Sequence, residues 1–208
     1  MRDVLRRLRR DERGITLSEM LVVIVLIGIL TAAFAGLLSS SITHSTTVEQ
    51  QSDIQVQMRG ALEPLVREFR QAHSGTSSSP VESIAVSGTP QITFTTPDRG
   101  CTGPTCGFFL RRVSYRLSGG NFQRAFYTST NNTGAPWTWP AGSPSNWVTL
   151  VSGVTTTTPF SFLDAAGRAT TTAANVRTVG ATLTKAPTAN AGRAVTYEVS
   201  TSLRTTAQ

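Results

Sequence analysis

Hydrophobic and polar positions divide this chain into three stretches with different periods. From Ile15 to Leu38 the residues are almost wholly apolar, ITLSEMLVVIVLIGILTAAFAGLL. As a helix this run is about 36 Å long at roughly 1.5 Å per residue, enough to cross a bilayer core of about 30 Å. Beyond it, Met58, Leu62, Leu65, Val66 and Phe69 recur at helical spacing, while Arg59, Glu63, Arg67, Glu68 and Arg70 occupy much of the remaining surface. The pattern predicts an amphipathic helix continuing to about residue 72, with Pro64 kinking or restarting it.

After the breaker SGTSSSP at 74–80 the period changes to two. Strands are expected at Ser83–Val86, Gln91–Thr95, Gly107–Leu117, Phe122–Thr128, Val148–Val151, Pro159–Asp164, Asn175–Thr184 and Ala194–Arg204. Ser118-Gly119-Gly120-Asn121 joins the third and fourth as a hairpin. Val113, Tyr115 and Leu117 alternate with Arg112, Ser114 and Arg116, a half-buried strand with a solvated basic face. The fold class is therefore α+β: a long N-terminal transmembrane and amphipathic helix, then a β-rich globular domain. The expected segments are 1–14, a basic leader; 15–38, the apolar helix; 39–73, its amphipathic extension; and 74–208, the globular domain.

Charge changes the picture at one end only. The formal net charge is +7. The first fourteen residues hold Arg2, Arg6, Arg7, Arg9, Arg10 and Arg13 against Asp3, Asp11 and Glu12, a net +3, and the rest is mildly basic. No Lys or Arg follows the apolar run until Arg59. The positive-inside rule then puts the leader in the cytoplasm and the body outside it. A secretory signal peptide fits poorly, because Ala33-Phe34-Ala35, the nearest cleavage site, lies inside the apolar run. An uncleaved signal anchor would have no use for Glu19, a carboxylate in the first turns of an apolar helix. Such a charge costs on the order of 2.5–3.5 kcal/mol at the bilayer centre and less near the interface, and implies a function and a partner.

Arg13-Gly14-Ile15-Thr16-Leu17-Ser18-Glu19, followed by the apolar helix, resembles the cleavage and methylation site of type IV prepilins. The resemblance implies that a membrane aspartyl prepilin peptidase cuts between Gly14 and Ile15 and N-methylates Ile15. Glu19 then becomes the fifth mature residue, able to neutralise the N-terminal amine of a neighbouring subunit. A pair of this kind in a low dielectric is far more favourable than either charge alone. Where many pilins have Pro, this chain has Gly36, also a poor helix former. Later segments, VSYRLSGGNFQR, VTLVSGVTTTTPFSFLDAAG and VRTVGATLTKAP with GRAVTYEVSTSLR, look like J-type minor pseudopilins of type II secretion and W-type minor pilins. The implied protein is a structural subunit, a minor one, of a type IV pilus or type II secretion pseudopilus, and not an enzyme. Its implied partners are the prepilin peptidase, other pilins or pseudopilins, and an inner-membrane assembly platform. It sits in the cytoplasmic membrane as a single-pass protein with an extracytoplasmic domain.

Candidate chemistry elsewhere is sparse. His44 and His73 form no metal pair, Asp98, Asp164 and Glu198 are isolated, and no nucleophile elbow, P-loop or dinucleotide fingerprint occurs. No cofactor or metal is expected. Cys101 and Cys106 have no zinc or redox spacing; a small disulfide loop around Gly103-Pro104 and two free thiols both remain open. The basic and aromatic stretch FFLRRVSYRLSGGNFQRAFY offers Arg112 and Arg116 to phosphates, the basis of an alternative reading as a competence-type pilin that binds DNA. Its ordinary reading is a strand pair with one solvated face. Trp137, Trp139 and Trp147 suit either a subunit contact patch or a loop tucked onto the sheet. A signal-anchored extracytoplasmic enzyme is the remaining alternative.

Overall fold

The computed structural model describes residues 16–74, 79–102, 105–131, 136–140, 146–187 and 193–204. Side chains at 99–106 and 108 are not among those described. Among the described residues the arrangement is α+β: one long helix, α1 (Leu17–Arg70), then eight strands. It divides into two compact units, Met1–Val48 and Glu49–Gln208.

In the first unit α1 is long and apolar enough to cross a membrane. Its large side chains, from Leu17 and Met20 through Ile29, Phe34 and Leu38, are all exposed. A helix apolar on every side needs an apolar surrounding. Thr31, the hydroxyl in the middle of the apolar run, is satisfied locally: its Oγ1 donates to Ile27 O at 2.7 Å. Such back-bonding keeps polar groups paired where water is absent. Gly36 does not interrupt the helix.

In the second unit Ile54, Met58, Ala61, Leu62, Leu65 and Phe69 turn inward from the end of α1, as the helical spacing predicts. Val66 is only half-buried. The helix runs through Pro64 without a break. Proline removes one backbone donor, but the buried residues on both sides of it hold the helix against the core, so it does not restart.

β1 (Val81–Ala85), β2 (Gln91–Thr102), β3 (Thr105–Ser118), β4 (Asn121–Thr128) and β5 (Val148–Val151) form an antiparallel sheet in chain order. β6 (Phe160–Leu163), β7 (Thr178–Lys185) and β8 (Val195–Ser202) form a second antiparallel sheet. Ser118 pairs with Asn121 across the expected hairpin. Gly119 and Gly120 both have positive φ, 55° and 73°, as a two-residue turn of this hand requires.

The strands depart from expectation chiefly at two places. β2 passes Thr95 and continues to Thr102, through Pro97. β1 pairs only with Gln91–Phe94. At Pro97 the other side of β2 therefore has no strand waiting for an N–H, which is where an edge tolerates proline. The run expected from Asn175 starts as strand only at Thr178, because Ala173–Asn175 forms a short 3-10 turn that tucks Val176 into the core.

Alternation builds the core. Ile92 and Phe94 of β2, Val113 and Tyr115 of β3, Phe122 of β4, and Val179, Ala181 and Leu183 of β7 all point inward. Rings link the layers: Phe69 meets Phe94 edge-on at 5.3 Å, Phe94 stacks on Tyr115 at 6.3 Å, Tyr115 on Phe122 at 5.9 Å, and Phe122 meets Phe160 at 6.0 Å. One aromatic row thus ties the helix to both sheets.

Candidate functional site: the start of the apolar helix

Thr16 stands immediately before α1 and Glu19 lies in its first turn. The Thr16 N–H donates to Glu19 Oε2 at 3.1 Å, and the Thr16 hydroxyl donates to the same oxygen at 3.0 Å. The Glu19 N–H in turn donates to Thr16 Oγ1 at 3.3 Å. This is a capping box: two donors that the helix start leaves without intrahelical partners are satisfied reciprocally. The negative carboxylate also sits at the positive end of the helix dipole. Sequence reasoning singled out Glu19 for its charge and passed over Thr16. The Thr-x-x-Glu spacing before an apolar run was the signal for it.

Both bonds from Thr16 fall on Oε2. Oε1 has no hydrogen-bond partner among the described residues. The carboxylate as a whole is exposed. Gly14 and Ile15, the expected cleavage and methylation positions, lie outside the described residues.

This N-terminal segment matches the prokaryotic N-terminal methylation motif over residues 9–35. The chain has a type IV prepilin-like N-terminus. The match takes in Gly14, Ile15, Thr16 and Glu19 with most of the apolar helix. A prepilin-like motif of this kind implies processing by a peptidase and assembly with other pilins in a membrane, and the apolar α1 agrees with membrane anchoring. No curated protein matches the chain as a whole.

Away from the prepilin-like segment, the other sequence candidates fall into three places. The backbones of Cys101 and Cys106 face each other in the β2–β3 register; their side chains lie outside the described residues. His44 and His73 are both exposed. Among the described residues no group of three His, Cys, Asp or Glu gathers as a metal site.

Arg112 and Arg116 share one face of β3, but that face is not simply solvated. Arg112 Nε lies 2.6 Å from Glu82 Oε2, and its guanidinium sits 4.4 Å from the Trp139 ring centroid. Arg116 donates to Gln123 Oε1 at 2.9 Å and sits 3.8 Å from the Trp147 ring centroid. Arg111 bonds Asp98 at 2.6 Å and lies against Phe126. Two of the tryptophans are thus tucked onto the sheet, each covering an arginine by a cation–π contact. These guanidinium groups already have protein partners.

A buried ionic cluster was missed from sequence. Glu68, placed by its neighbours on the polar side of the helix, is 9% exposed. It accepts two bonds from the Arg124 guanidinium and one from the Tyr115 hydroxyl at 2.6 Å. The last turns of α1 are thereby joined to β3 and β4. Burial first, then the Glu68 carboxylate, pushes the Tyr115 phenol far above its ordinary range. Burial works against the Arg124 cation, but Glu68 more than offsets it and holds that cation charged.

The Tyr115 shift has a definite sign. A phenol kept neutral by folding contributes no pH dependence below its unfolded value of about 10. Above that value the unfolded chain ionises and the folded one does not. Stability then falls, by up to about 1.4 kcal/mol per pH unit. Denaturant unfolding in detergent micelles, read by tryptophan fluorescence across the alkaline range, is expected to show this slope. Tyr115→Phe is expected to lower stability at neutral pH by about 1 kcal/mol for the lost hydrogen bond and to flatten the alkaline slope. An unchanged slope in that variant would assign the alkaline loss to other groups.

Proposed function

We propose that the chain is a structural, non-enzymatic subunit, a minor one, of a type IV pilus or type II secretion pseudopilus. The observation that carries the reading is Glu19, an exposed carboxylate on an otherwise apolar helix inside a prepilin-like motif. In this reading the basic leader stays in the cytoplasm and the β-rich unit faces outward. The peptidase cuts between Gly14 and Ile15 and methylates Ile15, which keeps its positive charge.

The geometry at Thr16 supports a reading of how the subunit waits and then docks. Before assembly the capping box holds the carboxylate at the helix start through Oε2 and leaves Oε1 unbonded among the described residues. When subunits pack, the methylated amine of a neighbour meets Oε1. Two charges that each disfavour the low-dielectric filament core neutralise one another there. The apolar helix supplies the packing surface, and the ion pair supplies the register. The β-rich unit then forms part of the filament surface or tip.

Cross-linking in native membranes, followed by mass spectrometry of the captured chains, tests this. Several different pilin-like partners are expected, together with an assembly-platform protein. Capture mainly of further copies of this chain would make it a major subunit instead. Capture of no pilin-like chain would sink the structural reading.

A further inference from the structure

The second unit carries a groove that the filament reading does not use. It encloses about 540 Å³ between the last turns of α1 and strand β8. Its charge is one-sided. Arg59, Arg67, Arg70 and Arg204 line it against a single carboxylate, Glu63, and Glu63 is already bonded to Arg59 at 2.8 Å. Among the described residues Arg67, Arg70 and Arg204 form no ion pair. The remaining wall is Val66, Val199 and the Tyr197 ring, with Gln71 as its one uncharged polar side chain among the described residues.

The backbone beside the groove is also unpartnered. β8 is the last strand of its sheet, and among the described residues nothing pairs with its outer edge. The hydrogen-bond phase shows which of its residues face outward. Thr182 of β7 donates its N–H to Pro159 O, on the β6 side. The alternate residues Val179, Ala181 and Leu183 therefore face β8, opposite Thr201, Val199 and Tyr197. That leaves the backbone groups of Thr196, Glu198 and Ser200 directed away from the sheet.

We propose that this groove binds an extended acidic segment of a partner protein, added as a strand to β8. Main-chain bonds to residues 196, 198 and 200 hold the segment. Alternate side chains of the added strand then enter the groove, where Val66 and Val199 accept apolar groups and Arg67, Arg70 and Arg204 accept carboxylates. A nucleic acid suits the site less well, since Tyr197 is its one aromatic ring and strand addition needs peptide donors and acceptors. The inference stands on the second unit alone, so its outcome is independent of whether the chain assembles into a filament.

The test uses the full chain in detergent micelles and a fluorescent peptide of alternating Glu and Val, as long as β8. Polarisation is expected to show saturable binding of this peptide and none of its Gln/Val counterpart. Two variants separate the contributions. Arg67→Gln with Arg204→Gln removes two exposed charges. Ser200→Pro removes one outward N–H, a change that an edge strand tolerates. Each is expected to weaken binding by about tenfold or more, equivalent to 1.4 kcal/mol, with unchanged thermal melting. Failure of the Glu/Val peptide to bind would overturn the proposal. So would binding that both folded variants retain, or binding of oligothymidylate or anionic-lipid vesicles in place of the peptide. If Ser200→Pro melts early, the arginine double variant alone decides.

Discussion

Glu68→Ala is expected to destabilise the second unit by about 3–5 kcal/mol, the range for removing one partner of a buried ion pair. The carboxylate answers both the Arg124 guanidinium and the Tyr115 hydroxyl, and the side chains of the ion pair are only 12% and 19% exposed. Without it, Arg124 is a mostly buried cation with no counter-charge, and Tyr115 is a buried donor with no acceptor. Desolvation already opposes the Arg124 charge, and the Phe126 ring, 4.8 Å from the guanidinium, is a weaker partner than the lost carboxylate. The effect is expected to exceed that of Tyr115→Phe, which leaves the ion pair whole. Replacing both ions, Glu68→Met with Arg124→Met, is expected to recover much of the loss, because a buried pair and an apolar pair of similar volume are often close in energy. Denaturant unfolding of Glu68→Met, Arg124→Met and the double variant forms a cycle that measures the coupling. A loss below about 1 kcal/mol for Glu68→Ala, the scale of an exposed pair, would show that water reaches the cluster.

Glu19→Val is expected to leave the chain in the membrane and to cut cross-linking to other pilin-like chains by about tenfold or more, a change of 1.4 kcal/mol or above. Insertion itself becomes easier, since a carboxylate in an apolar helix is a cost. Assembly becomes harder, since the neighbour's amine then enters the packed helices without a counter-charge. Glu19→Gln can still accept Thr16's bonds and keep the cap, but carries no charge. It is expected to assemble as poorly as the valine variant. If Glu19→Gln assembled normally while Glu19→Val failed, the carboxylate would matter through its cap on Thr16, and ion pairing would play no part.

Much of the fold was legible because its signals are local. The strands show a period of two, and Val148–Val151 has the bounds expected of it. The hairpin announces itself through Gly119 and Gly120, and the core face of the helix through Met58, Leu62, Leu65 and Phe69. What escaped depends on partners far away in the chain. Glu68 sits beside Arg67 and Arg70 and looks solvated; its partner Arg124 is 56 residues away. The tryptophans follow no period, so nothing local said that Trp139 and Trp147 would cover Arg112 and Arg116. The strand expected to end at Thr95 runs on through Pro97, because which side of it has a pairing partner is a property of the sheet. At the N-terminus the reverse held. Gly14, Glu19 and the apolar run form one contiguous pattern, and only Thr16's share in holding Glu19 needed the structure.

Processing of this chain as a prepilin is read from the mass of its own N-terminus in native membranes. The expected result is a chain beginning at Ile15 and bearing an N-methyl group, with the fourteen leader residues gone. A chain still beginning at Met1 would contradict the account and leave a membrane-anchored β-rich protein with its leader intact.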